Sequence, residues 1–428
     1  MNGKNSTFDE STNKRKMKIK RKQFITSKQE FQSKSEMYRF WAFVAGLSFP
    51  GYHIGLNTMI TSVIGDNSID TMLAYAILLC AFFMAFVNTD KRKWQHYLKP
   101  IIYVVLLMIV LFGFSELIWP INSDVLVKMR TTFLQGACWG AMAFNMLENK
   151  KIIKKALRLI GYIVFVFLLF EPFASQSTLF VGNDNSWGHS GYLTWGYRML
   201  IAGILLIFAA FETKKVSDII CAIVASLEVV IIGNRGSAVA IFCFIALYVL
   251  FCAKDIRKIK YIVVFGCIVC ICISLFSVNS LLNIKGFFES VGIQSRNLTK
   301  LLDNTIADSG REEGYAIAIN QILNGNNWIG LGVGGDQVLV GNYPHNIVLE
   351  LLLQYGNIVG GILVLVLIYK TARIFLFCKD ESWKSIFIAC FCISIIKLCF
   401  SSTYWYELWF WAYLVVLKKV GRQMKKGV

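Results

Sequence analysis

The chain has 428 residues, of which 56% are hydrophobic and only 16% are charged, and its formal net charge is +18. Apolar runs of about twenty residues recur along it, and each is long enough to cross a bilayer core of about 30 Å as a helix. The composition therefore predicts an all-α, polytopic membrane helix bundle. Because the Lys and Arg residues lie in short segments between the apolar runs, it also argues against nucleic acid as a partner.

The first 37 residues contain the basic stretch "KRKMKIKRK", and we expect them to form a cytosolic tail. After this tail the apolar runs predict about twelve membrane spans. They lie near residues 38–58, 70–88, 100–119, 128–147, 157–174, 190–211, 217–232, 237–253, 261–282, 346–369, 385–403 and 406–418. Spans one to nine thus occupy 38–282, a large loop occupies 283–345, spans ten to twelve occupy 346–418, and 419–428 form a second basic tail.

The charges of the loops predict the orientation of the bundle. Lys and Arg are concentrated in alternate loops, such as "DKRKWQHYLK" and "ENKKIIKKALR", and at both ends of the chain. By the positive-inside rule these loops and both termini face the cytosol, and the large loop lies outside it. Within the large loop, the periodic stretch from Tyr315 to Leu323 predicts an amphipathic helix on the membrane, and the "GLGVGG" that follows predicts a turn.

Several cations fall on the outer side, against the positive-inside bias. Arg235 in "GNRGS" lies between spans seven and eight, and Arg311 in "SGREEG" lies in the large loop. Arg130, Arg198 and Lys397 also fall toward the outer ends of spans. A cation in or beside a membrane costs free energy and therefore marks a ligand site, a transport path or an ion pair. For the last three residues the structural alternative is an ion pair with a glutamate at comparable depth.

A Pro-His-Asn corner precedes the tenth span. His345 lies at the outer mouth of the span, and Asn346 is placed to cap the helix that begins at Ile347. A lone histidine at a membrane interface is often only an amphipathic anchor, but the outward-facing arginines favour a functional role. None of the four histidines has a Cys, Asp or Glu at metal-ligand spacing, so we expect no metal site and no cofactor.

Two glycines, Gly356 and Gly360, follow inside the tenth span. They form a small-x-x-x-small pair, which lets a neighbouring helix approach closely. We interpret the pair as structural rather than catalytic.

The order "GNRGS", "SGREEGYAIAINQIL", "WIGLGVGGD" and "PHNIVLELLLQYGNIVGG" resembles the O-antigen polymerase and O-antigen ligase superfamily of bacterial polysaccharide assembly. Members of that superfamily show an outward Arg before one span and a second Arg that opens the large outer loop. A glycine-rich turn and a His-Asn pair at the start of the next span follow. The resemblance covers roughly residues 220–365 by motif and the rest by predicted topology.

The resemblance implies a glycosyltransferase that polymerises undecaprenyl-pyrophosphate-linked repeat units at the outer face of the bacterial cytoplasmic membrane. Its partners would be the lipid-linked glycan donor and acceptor, membrane lipid, a chain-length regulator and a flippase. His345 would be the catalytic base, and Arg235 and Arg311 would bind the pyrophosphate in place of a metal ion. Secondary substrate contacts would come from four residues: Arg130, Arg198, Lys397 and Asn346.

Two other functions are compatible with this sequence. An O-antigen ligase would transfer the polymer to lipid A core instead of to a second repeat unit, and the sequence does not separate the two reactions. A polysaccharide flippase or transporter would also have about twelve spans and buried cations, but transporters typically show internal repeats and bind their substrate near the bilayer midplane. The candidate residues here collect toward the outer face.

Overall fold

The computed structural model describes residues 34–64, 68–169, 188–231, 235–252 and 311–425, and the single residues Leu282 and Gly286. These residues form helices and short connections, with no β-strand among them. The helices are α1 Lys34–Ile64, α2 Ser68–Val87, α3 Lys91–Ile118, α4 Ser123–Met146, α5 Lys150–Leu169, α6 Gly188–Thr213, α7 Val216–Ile231, α8 Arg235–Cys252, α9 Glu312–Asn324, α10 Gly335–Val340, α11 Ile347–Phe377, α12 Glu381–Phe391 and α13 Leu408–Lys425. A 3-10 turn, Pro120–Asn122, joins α3 to α4, and a π-helical segment, Cys392–Ile396, continues α12.

Three stretches are long and apolar enough to cross a membrane: α3, residues Trp195–Thr213 of α6, and α11. Such helices are characteristic of a membrane protein. Every predicted span overlaps a helix except the ninth, at 261–282, which apart from Leu282 lies outside the described residues. Some boundaries differ, since α3 begins at Lys91 rather than near residue 100, with Asp90 accepting a hydrogen bond from the Arg92 backbone N–H at 3.0 Å.

The buried core lies where α1, α4, α5, α6 and α13 pack together. Its largest fully buried side chains include Trp195, Trp409 and Tyr413. On the outer surface of the bundle, α3 and α11 instead expose large apolar side chains, such as Leu117 at 83% and Leu365 at 66%. Apolar surface on this scale fits a bundle whose perimeter contacts lipid.

The helix predicted within the large loop is present. α9 covers Tyr315 to Leu323 and packs against α11. Its Leu323 side chain nevertheless remains 73% exposed, and Ile319 remains 45% exposed. α9 therefore has one face on the bundle and an apolar face open to its surroundings.

α11 is not one straight helix. Gly356 has φ 80° and ψ 170°, which divides α11 into residues 347–355 and 357–377. A Cβ added at Gly360 would overlap the carbonyl oxygen of Leu351, although residues nine positions apart in a straight helix are separated by about 13.5 Å. The two parts of α11 therefore fold sharply against each other. The second part, about 31 Å long at 1.5 Å per residue, has the length needed to cross a bilayer.

The bend corrects the role predicted for the two glycines. A contact with a neighbouring helix is wrong, because a Cβ at Gly356 would overlap Trp328 O and a Cβ at Gly360 would overlap Leu351 O. Gly356 instead makes room for backbone atoms of the large loop, and Gly360 makes room for backbone atoms of α11 itself. The backbone conformation of Gly356 is also one that essentially only glycine adopts.

Segment 327–332 of the large loop binds the backbone groups that the bend leaves open. Asn357 N donates to Asn327 O at 2.8 Å, and Leu331 N donates to Leu353 O at 2.8 Å. A third backbone bond, at 3.1 Å, continues the pattern one residue further. The loop and the bend thus satisfy each other's hydrogen-bonding groups.

Two glycines of α4 position the turn between α12 and α13. A Cβ at Gly136 would lie 2.7 Å from Tyr406 O, and a Cβ at Gly140 would overlap Leu408 O. The backbone of 406–408 therefore rests directly on α4. This contact fixes one wall of a cavity that Gly136 and Tyr406 line.

Candidate functional site

A single cavity of about 390 Å³ brings together three of the predicted site residues: His345, Arg198 and Lys397. Its walls come from α1, α2, α4, α6, the corner before α11 and the turn between α12 and α13. Aromatic rings line much of the remainder: Phe49, Tyr75, Tyr197, Tyr343 and Tyr406. The cavity therefore combines cations, a histidine and aromatic surface.

His345 has a left-handed backbone conformation, with φ 52°. Four non-glycine residues have positive φ among the described residues, and two of them, His345 and Ser402, line this cavity. Strained backbone of this kind tends to occur at functional sites. The edge of the Tyr343 ring packs on the imidazole at 4.4 Å between centroids, and the buried Nδ1 atom of His345 has no hydrogen-bond partner in the described part of the chain.

The imidazole of His345 is neutral near pH 7. Burial and, as the smaller cause, the positive charge of Arg311 together lower its pKa to about 4. Arg311 itself donates a hydrogen bond to the carbonyl oxygen of Phe400. Arg311 therefore lies beside the cavity and acts on His345 through its charge.

Asn346 caps α11, as predicted. Its Oδ1 atom accepts hydrogen bonds from Val348 N at 2.9 Å and from Leu349 N at 3.3 Å. Its Nδ2 atom donates to Cys399 O at 3.4 Å. Asn346 thus fixes the corner that carries His345, and it does not line the cavity itself.

Arg198 and Lys397 are held in two different ways. Lys397 forms an ion pair with Glu407, and its Nζ atom lies 5.3 Å from the centre of the Tyr197 ring. Arg198 donates to the backbone carbonyl of Pro50 and feels the charge of Glu407 without a hydrogen bond to it. Lys397 thus forms the ion pair with a glutamate that the sequence offered as its structural alternative. Arg198 is held mainly by a backbone carbonyl group.

The other two arginines are not part of the cavity wall. Arg130 forms an ion pair with Glu116, and both side chains are about 40% exposed. This is the ion pair expected if Arg130 has a structural role and does not bind substrate. Arg235 is the first residue of α8, and the structure describes its backbone only. The Arg235 side chain lies outside the described part of the structure, so its contact with pyrophosphate stays a prediction.

Several lining residues were not among the sequence candidates. Glu407 is the carboxylate partner of Lys397, and His53 and Gln135 face the same cavity. The sequence held one signal for Glu407, because a carboxylate between aromatic residues in "YWYELW" is costly at the mouth of a span unless it is paired. His53 and Gln135 carried no such signal, since each stands alone in an apolar run.

A hydrogen-bonded network lies behind the cavity wall. Gln354 contacts the buried carboxyl groups of Asp336 and Glu350, and Thr403 donates to Glu350 Oε1. Burial raises the pKa of Asp336 to about 7. The network joins α10, the first turns of α11 and the turn before α13, which are the elements around the His345 corner.

No group of three or more His, Cys, Asp or Glu side chains that could hold a metal ion occurs in the described ranges. Comparisons of the chain with protein-family models, with curated proteins and with solved structures found no match.

Proposed function

We propose that the chain is a metal-independent glycosyltransferase of the bacterial cytoplasmic membrane that polymerises undecaprenyl-pyrophosphate-linked oligosaccharide repeat units. The observation that carries the proposal is the cavity in which His345, Arg198 and Lys397 face one space beside Arg311. In this proposal the chain crosses the membrane about twelve times, with both termini cytosolic and the cavity open toward the outer face. A second lipid-linked repeat unit is the acceptor.

His345 acts as the general base in this reaction. Its neutral imidazole takes the proton of an acceptor sugar hydroxyl while the oxygen attacks the anomeric carbon of the donor. A glycosidic bond forms, the bond from the anomeric carbon to the pyrophosphate breaks, and undecaprenyl pyrophosphate leaves with the bonding electron pair. The imidazolium then returns its proton to solvent.

The arginines receive the leaving group. Guanidinium groups match phosphate oxygens with two parallel charge-assisted hydrogen bonds, and Arg235 and Arg311 supply them on this proposal. Arg198 and Lys397 extend the positive field into the cavity, where low solvent access strengthens it. Glu407 offsets part of that field, so the cavity keeps an excess of positive charge for an anionic donor.

Donor binding also tunes the base. In the ligand-free protein the pKa of His345 is too low for efficient proton abstraction, and Arg311 is one of the two causes. A pyrophosphate bound to Arg311 cancels its charge and raises the pKa of His345 toward its ordinary value. The base therefore strengthens only when the donor is present.

The remaining cavity surface suits a saccharide. Tyr75, Tyr197 and Tyr406 offer apolar ring faces and hydroxyl groups, and a volume of about 390 Å³ lies within the range of small-ligand sites rather than of polymer grooves. The cavity thus holds the reacting sugars, and the growing chain extends outward.

The test is reconstitution. Purified protein in lipid nanodiscs receives lipid-linked repeat units isolated from cells that lack the gene, and a ladder of lengthened products supports the polymerase. Transfer to lipid A core without lengthening indicates the ligase, and movement of the units across a bilayer without a new glycosidic bond indicates a transporter. Arg235→Lys and Arg311→Lys are each expected to lose most activity, whereas Arg130→Lys, whose partner Glu116 lies outside the cavity, serves as the matched control.

A further inference from the structure

Gln354 joins two buried carboxyl groups with its amide nitrogen. Its Nε2 atom lies 2.7 Å from Asp336 Oδ1 and 3.4 Å from Glu350 Oε1. Its Oε1 atom accepts from the Tyr404 hydroxyl at 2.6 Å and from Trp405 Nε1 at 3.0 Å. Because an indole N–H can only donate, the amide oxygen must face Trp405, and the amide nitrogen must donate toward the two acids.

The two carboxyl groups are close together and fully enclosed. Both side chains have 0% exposure, and their shared nitrogen partner places the two bonded oxygens within about 6 Å of each other. The other two oxygens, Asp336 Oδ2 and Glu350 Oε2, are buried without a partner in the described part of the chain. Two ionised carboxylates at such a distance in a dry site would repel each other strongly.

Among the described residues no cation is bonded to either carboxyl group, and the cation in their neighbourhood is Arg311, which acts on Tyr343. The titratable side chains that interact electrostatically with the pair are tyrosines, which are neutral near pH 7: Tyr343, Tyr355, Tyr404 and Tyr406. The groups bonded to the pair are the Gln354 amide, the Thr403 hydroxyl and backbone N–H groups. The negative charge must therefore be reduced within the pair itself.

We propose that Asp336 and Glu350 share one proton and that this singly protonated pair positions the His345 corner for the transfer reaction. The proton resides on Oδ2 or Oε2, because Oδ1 and Oε1 already accept hydrogen bonds. The link to catalysis rests on the proposed function, whereas the shared proton stands without it.

The positioning runs through two short connections. Glu350 lies one turn after Asn346 in α11, so the carboxyl group moves with the corner that carries His345. The same carboxyl group binds Thr403, whose neighbour Ser402 lines the cavity. Loss of the shared proton would leave two negative charges behind the cavity wall. Their repulsion would displace the start of α11 and the segment that contains Ser402 and Thr403. A displacement of about 1 Å at a base can lower a rate by about a hundredfold.

Three variants separate positioning from bulk stability. Glu350→Gln keeps shape and neutrality, and its new N–H groups can donate to Asp336, so it is expected to keep kcat within about threefold near pH 7. Glu350→Ala removes the bond to Thr403 and is expected to lower kcat by about tenfold or more with KM nearly unchanged. At alkaline pH the wild-type kcat falls as the pair loses its proton, and this fall is absent in Glu350→Gln and Asp336→Asn. Equal loss in Glu350→Gln and Glu350→Ala at every pH would overturn the positioning role.

Infrared spectroscopy tests the proton independently of activity. A component of the carbonyl stretch of protonated carboxylic acids is expected from the pair in the wild-type protein at pH 7 and is lost in Glu350→Gln or Asp336→Asn. Glu313→Gln, at an exposed position of α9, leaves the whole band unchanged. If neither buried substitution removes such a band, the shared proton is wrong. If the band behaves as expected but the wild-type protein makes no polymer, the proposed function fails and the protonated pair remains.

Discussion

The Nζ atom of Lys397 pairs with the Glu407 carboxylate on the wall of the cavity that His345 lines. The two side chains are only 10% and 8% exposed. The π-helical segment Cys392–Ile396 ends directly before Lys397, and such segments rotate the residues that follow them relative to a regular helix. The π-helical segment therefore orients the Lys397 side chain toward the cavity, and the ion pair with Glu407 keeps it there.

Breaking this pair on one side is expected to be costly. Lys397→Met leaves the Glu407 charge buried and should lower the free energy of unfolding by about 3 kcal/mol. The double variant Lys397→Met with Glu407→Gln removes both charges and should recover most of that loss. Thermal unfolding in detergent measures both, and strictly additive effects of the two substitutions would contradict a direct pair.

His345→Asn is expected to reduce polymer synthesis by about a hundredfold or more, because it removes the base. Asn tolerates the left-handed backbone conformation at this position, so the fold should be kept. The measurement is the initial rate of chain extension, normalised to protein in the membrane. His96→Asn is the control, since His96 is half exposed and interacts with Glu148 away from the cavity lining. Normal synthesis by the His345 variant would end its assignment as the base.

Arg311→Gln is expected to raise the pH at which kcat/KM falls on the acidic side of its pH profile. In the free enzyme burial and the Arg311 charge hold the pKa of His345 at about 4, so kcat/KM should fall only near that pH. Removal of the positive charge makes protonation of His345 easier and shifts the limb upward, but not to the ordinary histidine value because burial persists. Profiles of kcat/KM against pH check this, with Arg130→Gln as a charge-matched control. An unmoved limb would show that Arg311 does not act on the base.

The reaction is expected to proceed in excess EDTA. On the proposed mechanism the arginines neutralise the pyrophosphate, a task that divalent ions perform in many other enzymes. Chelator-treated protein should keep its full rate of synthesis, and added magnesium should not increase it. If magnesium or manganese instead restores a lost activity, the acids of the large loop become candidates for a metal site: Asp303, Asp308, Glu312, Glu313 and Asp336.

Gly356→Ala is expected to prevent the normal fold of α11. The substitution forces a φ of 80° with a ψ of 170° on an alanine and drives its Cβ into Trp328 O. Gly361→Ala, five residues on in the same helix, meets nothing within 4 Å and should be neutral or slightly stabilising. Yield of monodisperse protein after detergent extraction compares the two, and equal yields would argue against the bend.

In the described part of the chain the sequence predicted the positions of most helices, because a long apolar run that must satisfy its own backbone hydrogen bonds forms a helix. It did not predict the bend at Gly356, since glycine in an apolar helix pattern more often indicates close helix packing. The decisive contact is with Trp328, in a segment whose pairing with α11 no local periodicity reveals.

The candidate site was predictable in part. His345 and Arg311 stand out because their positions violate the usual placement of charged and polar residues. The structure places His345 in the cavity wall and Arg311 beside it, where its charge acts on His345. The network around Gln354 was not predicted. Its members on α11 recur every fourth residue, which indicates one helix face, but the partners Asp336 and Thr403 come from distant segments.

The hydrogen bonds between segment 327–332 and the bend have a consequence for building chimeric proteins. If the large loop only covered the site, a chimeric protein could take the loop from another chain, with the junctions at the first and last residues of the loop. Here an exchange that ended at the start of α11 would separate Asn327 and Leu331 from the backbone groups they bind at Asn357 and Leu353. The smallest segment that keeps these backbone bonds within one piece therefore runs from residue 327 to residue 357.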